Sequence, residues 1–236
     1  MKEKVIDLLR KFALMALMPV LSMSLISCDP DEEEDRFYLA VDLGLSVKWA
    51  ACNVGAEFPE AYGDLFAWGE VETKDEYLWT NYKWNNGNGE INDYNLTKYC
   101  TNSSFGTVDG KSVLDPEDDI AHVKWGGNWR MPTSEECKEL RKECTWDWTN
   151  FEGTDGYKVT GPNGNSIFLP AAGDRTWENE MNDTRGVEGK YWSSTKSKNI
   201  CILVPIIYFS EKSVGSSNHN RATGLSVRPV IDYEVE

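Results

Sequence analysis

The tract Thr133-Ser134-Glu135-Glu136 most constrains the fold of this 236-residue chain. The Thr133 hydroxyl can accept from an open amide of a starting helix while the Glu136 carboxylate reaches back to the Thr133 amide, a reciprocal capping box. Cys137, Leu140 and Cys144 then fall on one helical face. Just upstream, Asp115-Pro116-Glu117-Asp118-Asp119 predicts a second helix. Here Asp115 supplies the capping side chain, proline sits in the first turn, and acids lie near the positive helix end. That helix is expected to end near Trp125-Gly126-Gly127.

Every other apolar run is short. Leu39 to Gly55 alternates apolar and polar residues around Gly44 and predicts two strands; Asp64 to Gly69 predicts an aromatic strand. Asn81 to Asn102 is rich in Asn, Gly and Tyr, has no helical period, and reads as a long surface loop or irregular structure. Gly156–Gly161 and Ser166–Pro170 flank Pro162-Asn163-Gly164-Asn165, a hairpin signal. Tyr191–Thr195, Cys201–Phe209 and Leu225–Val230 complete the set, and Pro205 predicts an edge or a bulge because it removes a ladder donor. Short strands with two helices grouped mid-chain give an α+β fold, not a parallel α/β sheet.

The N-terminal segment has a basic start (Lys2, Lys4, Arg10, Lys11) and an apolar run from Phe12 to Ile26, too short to cross a bilayer comfortably, which takes about 20 residues. Ser27-Cys28 follows, and the layout resembles the bacterial lipoprotein signal, in which cleavage leaves Cys28 as the lipid-bearing first residue. The run Asp29 to Asp35 reads as a solvated tether, as blocks of like charge do. It also resembles the acidic export signal of surface lipoproteins in the Bacteroides group. The expected organisation is a leader over 1–27, a flexible tether over 28–36 and one domain over 37–236. The resemblance places the protein in the outer membrane, lipid-anchored and facing outward. A net charge of −15 argues against a nucleic-acid partner, whose phosphates demand Lys and Arg.

Chemistry has few footholds. Five cysteines follow Cys28 (Cys52, Cys100, Cys137, Cys144, Cys201), an odd number with no metal-type spacing. Cys201 stands alone in an apolar run, where a thiol is inert. The two histidines, His122 in the first helix and His219 in the polar stretch Ser216–Asn220, accompany no nucleophile motif. Asp118 and Asp119 read as helix-end acids. Trp129 is expected in the core, Arg130 against an internal carboxylate, and Pro132 beside the next helix cap. No catalysis, cofactor or metal is expected.

Several ordered motifs carry a resemblance. Val41–Trp49, Cys52–Gly55, Tyr62–Glu70 and Asp115–Asp119 form one set; Trp125–Thr133, Phe168–Gly173, Gly189–Thr195 and Ser226–Val230 form the other. Together they resemble the Fibrobacter succinogenes major paralogous domain, common in lipoproteins of the Bacteroides group and related to the formylglycine-generating enzymes. The resemblance implies a C-type lectin-like domain: short antiparallel strands, two helices and long loops. The cysteine pair that serves those enzymes has no counterpart in Gly224–Pro229. Because the family often carries cysteines at both places, the resemblance also implies a Cys52–Cys144 disulfide, with Cys137 as the competitor.

Binding is the function the residues favour. Ten tryptophans and ten tyrosines offer faces for sugars or apolar partner groups. In a lectin-like fold the 173–186 loop is the expected recognition surface, with Asp174, Arg175, Trp177, Asn182, Asp183 and Arg185 as candidate ligand-binding residues. Trp79, Tyr82 and Trp84 are a second set. Asp174, Asn182 and Asp183 offer hard oxygens to calcium, but the Glu-Pro-Asn and Trp-Asn-Asp signatures of calcium-dependent sugar binding are missing. The expectation is a surface adhesion or binding module for a glycan or protein, in a version associated with fimbriae. The alternatives are an enzyme acting on surface glycans or proteins, or a structural component of an envelope assembly.

Overall fold

The computed structural model describes residues 39–87, 94–176 and 184–234. Cys28 and the whole leader and tether therefore lie outside the described residues. Within them the chain is mixed α+β, with few helices and three small antiparallel sheets of three strands each. β1 (Ala40–Val41), β2 (Lys48–Ala50) and β9 (Val230–Ile231) join the two ends of the domain in the order β1-β2-β9. β3 (Thr145–Phe151), β4 (Thr154–Thr160) and β5 (Ser166–Pro170) form a meander, as do β6 (Glu188–Trp192), β7 (Leu203–Ser210) and β8 (Ser213–Asn220). No helix among the described residues is long and apolar enough to cross a membrane.

Local chemistry places one helix, and a tertiary contact sets the start of the other. α2 (Ser134–Glu143) begins at the Thr133 capping box, with Cys137 and Leu140 buried. Arg130 grips the same Glu136 carboxylate through two bonds of 2.8 and 2.6 Å and reaches Asp232 at 2.6 Å, so the cap also ties down the C-terminal strand. α1 (Ile120–Trp125) is shorter than expected and starts later. A 3₁₀ turn occupies Pro116–Asp118, the Asp115 side chain caps nothing, and Asp119 accepts from the amides of Ala121 and His122. The second oxygen of Asp119 takes the amide of Met131 at 2.8 Å, a contact made through tertiary folding, and this selects Asp119 over Asp115.

Pro205 corrects a further expectation. It lies in β7, the central strand of its sheet, with no bulge. It pairs with Asn218 on β8 but stands one residue beyond the last β6 pair, Trp192↔Ile206. On that side its carbonyl accepts from the Ser193 hydroxyl at 2.6 Å, where no ladder amide is required. His219 is likewise a strand residue, opposite Val204, and its ring meets Trp192 edge-on. The Asp64–Gly69 run makes a single bridge, Phe66↔Leu225, rather than a strand.

The core has two main halves that share β7. Ile207 and Phe209 face a cluster with Trp49, Leu140, Tyr157, Leu169 and Tyr191. Val204 and Ile206, on the other face, join Phe66, Trp68, Tyr99, Met131, Trp192 and Leu225. Phe209 lies over Gly189, where a Cβ would come within 2.0 Å of the ring. Trp129 is buried, as expected, and meets Trp125 edge-on.

The described part of the 81–102 tract is irregular structure packed into the fold rather than a surface loop. Tyr82, Leu96, Tyr99 and Cys100 are buried, and the Tyr82 hydroxyl and Trp84 indole donate to the carbonyls of Trp68 and Gly69. Trp79 packs edge-on against Tyr82. Of the second set of candidate binding aromatics, Tyr82 is buried and Trp79 and Trp84 are partly buried against its cluster.

Candidate functional site: a polar cleft beside the 173–186 loop

The loop is pinned at both ends. The Gly173 amide donates to the Glu188 carbonyl at 2.8 Å, and the Gly186 amide donates to the Ala171 carbonyl at 2.7 Å. Arg175 and Gly224 exchange two backbone bonds of 2.9 Å. Gly224 must be a glycine here, since a Cβ would lie 2.7 Å from the Tyr77 ring. The stem thus brings Arg175 beside a turn formed about a hundred residues earlier.

That turn is organised by a buried carboxylate. Glu70 is 4% exposed and takes the Lys74 ammonium at 2.6 Å and the Lys83 amide at 2.7 Å. Lys74 also donates to the Asn81 carbonyl. The Tyr77 hydroxyl donates to the Leu65 carbonyl and accepts from the Lys74 amide at 3.3 Å. Burial raises the Tyr77 hydroxyl above its usual range against the pull of Arg175, so it stays protonated as a donor.

Between loop and turn lies a cleft of about 860 Å³ lined by Asp64, Lys74, Glu76, Tyr77, Arg175 and Arg185, among others. The volume is within the range of small-molecule sites. Arg175 is exposed, and no carboxylate lies within ion-pair distance of it among the described residues. The Arg185 guanidinium stands 5.8 Å from the Tyr62 ring centre. Guanidinium forks, carboxylates and amide groups around a wet cleft can hydrogen-bond hydroxyl-rich or charged ligands.

The other expected site residues divide. Asp174 is no open ligand. It is buried, its carboxylate takes Lys190 at 2.8 Å and Thr184 at 3.3 Å, and His219 lies 3.7 Å away. Burial and the nearby Lys190 lower the His219 pKa, outweighing the pull of Asp174. Asp174 therefore anchors the loop stem. Trp177, Asn182 and Asp183 lie outside the described residues. The Cys52–Cys144 disulfide is not made, and both thiols are free. Cys52 is buried with Ala51 and Ala56, while Cys144 follows α2 and packs against the β3–β5 side of the core. Helix-on-sheet packing places them in different clusters.

The carboxylates of Asp115, Glu117 and Asp118 lie close enough together to suggest a cation site. Lysines already occupy that role. Lys98 reaches Asp115 and Asp118 at 2.6 Å each, and Lys83 reaches Asp118 at 3.1 Å. Burial pushes the Asp118 carboxyl up, but bonds from Lys98, Tyr99 and Lys83 outweigh it and hold its pKa below the usual aspartate range. The stabilisation from Asp118 is thus complete above its unfolded pKa and is lost as pH falls through the lower folded value. In acid titrations of stability, Asp118→Asn should flatten the loss below about pH 4 relative to the parent chain. An unchanged acid limb would refute the assignment.

No family model, no curated protein and no solved structure matches the chain.

Proposed function

We propose that the chain is a lipid-anchored, outward-facing outer-membrane module, tethered through Cys28, that acts by binding a glycan or protein at the cell surface as an adhesin. In this reading its domain is C-type lectin-like and belongs with the Fibrobacter succinogenes major paralogous domain family. Two helices with short antiparallel strands and long connections support that assignment of the fold.

The observation that carries the function is the polar cleft, which has Arg175 exposed at its rim and Arg185 in its lining. Its lining mixes cations, carboxylates and a protonated tyrosine, which suits a ligand with many hydroxyls or mixed charge. Screening the purified chain on glycan and surface-protein arrays should yield a ligand. The Arg175→Ala/Arg185→Ala variant should then bind at least about tenfold more weakly while keeping its melting temperature. Absence of any ligand, or undiminished binding by that variant, would overturn the proposal.

A further inference from the structure

Cys100 and Cys201 meet in the fold. Both are buried, in one cluster with Tyr77, Tyr82, Leu96 and Ala222. The Cys201 sulfur accepts from the Thr101 amide at 3.2 Å and stands 3.6 Å from the Thr101 hydroxyl. The Cys100 thiol lies 3.1 Å from the Asn102 carbonyl, so the residue next to Cys100 bonds the Cys201 sulfur while Cys100 itself sits in the same buried cluster. Lys196, also buried, donates to the Thr101 hydroxyl at 3.0 Å and brings a positive charge to the same spot. By sequence Cys201 is a solitary core thiol; folding gives it a partner from a distant segment.

We propose that Cys100 and Cys201 form a redox-active pair, joined as a disulfide when the protein meets an oxidising thiol–disulfide couple. Cys201 is the attacking sulfur. Burial raises its pKa, but the Thr101 amide and the Cys100 thiol outweigh burial and lower it. The other four described cysteines are shifted upward, chiefly by burial, Cys144 to about 11. The Cys201 thiolate attacks one sulfur of an external disulfide, forming a mixed disulfide and releasing one thiolate. Cys100 then loses its proton and attacks the Cys201 sulfur, and the second thiolate leaves. The two protein thiols give two electrons to the reagent's S–S bond, and their two protons pass to the departing thiolates. Because both sulfurs are buried, exchange takes place as the chain folds or in a locally opened form. The bond ties the 94–111 segment to the turn before β7 and closes a loop of about a hundred residues. None of this depends on the ligand-binding proposal.

The test uses the full chain refolded in a mixture of oxidised and reduced glutathione, quenched by alkylation in denaturant and mapped without reductant. The expected product is one internal disulfide joining the Cys100 and Cys201 peptides, with Cys28, Cys52, Cys137 and Cys144 alkylated. Adding reductant should lower the melting temperature of the oxidised chain by roughly 10 °C. A Cys100→Ala/Cys201→Ala variant should show no such response. If that variant does not fold, the parent's peptide map decides alone. Recovery of Cys100 and Cys201 as alkylated free thiols in the folded, oxidised protein, or bridges to other cysteines, would overturn the proposal.

Discussion

Arg228→Ala is expected to abolish folding at ordinary temperatures, or to lower stability by more than about 4 kcal/mol. Arg228 is 1% exposed and pairs with no carboxylate among the described residues. Its guanidinium instead donates to the Ala50 carbonyl at 3.0 Å, the Phe168 carbonyl at 2.8 Å and the Asn53 side chain at 2.9 Å, and also bonds the Ala51 carbonyl. Asn53 passes the network on to the Tyr62 carbonyl and the Tyr191 hydroxyl. One side chain therefore satisfies acceptors from β2, the turn after it and β5. Removing it strands those acceptors in the core, where each unsatisfied group costs about 1–3 kcal/mol. Arg228→Lys should recover less than half of the loss, because a single ammonium cannot reproduce the planar fork. Urea denaturation followed by tryptophan fluorescence measures both. A melting temperature within 3 °C or so of the parent for Arg228→Ala would refute the role.

The second large effect concerns a pair of indoles. The Trp68 N–H donates to the Ser193 carbonyl at 2.8 Å, and the Trp192 N–H donates to the Phe66 carbonyl at 2.7 Å. Each ring thus fastens the segment that carries the other. Trp68 also meets Tyr99 edge-on at 5.2 Å and lies 4.8 Å from the buried Arg221 guanidinium. Trp68→Ala should cost about 3–5 kcal/mol through the cavity alone. Trp68→Phe should cost less, retaining a ring but leaving the Ser193 carbonyl unpaired, for about 1–3 kcal/mol. Because the rings share one clamp, Trp68→Ala/Trp192→Ala should destabilise by less than the sum of the single changes. Strict additivity in a double-mutant cycle would argue against the clamp.

What the sequence reveals follows the range of the interactions. The α2 cap is legible because its partners lie three residues apart, and the 156–170 hairpin because its turn lies between its strands. Asp115 and Asp119 are equally good caps locally, and the Met131 amide decides between them. Pro205 reads as an edge or a bulge until one knows that β6 stops at Trp192. Trp79, Tyr82 and Trp84 sit among loop-forming residues; Tyr82 is buried, and Trp79 and Trp84 are partly buried against the same cluster, a packing that spacing alone does not reveal. The same holds for the site. Arg175 and Arg185 were visible as loop charges, but their cleft needs the Glu70–Asn81 turn, which sequence spacing does not connect to them. Asp174 looked like its neighbours, and Lys190 reveals it as an anchor.

β7 has alternating faces that serve the two main halves of the core. A strand used this way is a party wall. Loosening the side chains on one face exposes backbone that the opposite half also needs for support. The two halves are consequently expected to melt as a single cooperative unit, with coincident transitions by circular dichroism and tryptophan fluorescence, rather than as independent subdomains. Local opening is then expected first in the connections around the sheets rather than in the wall itself.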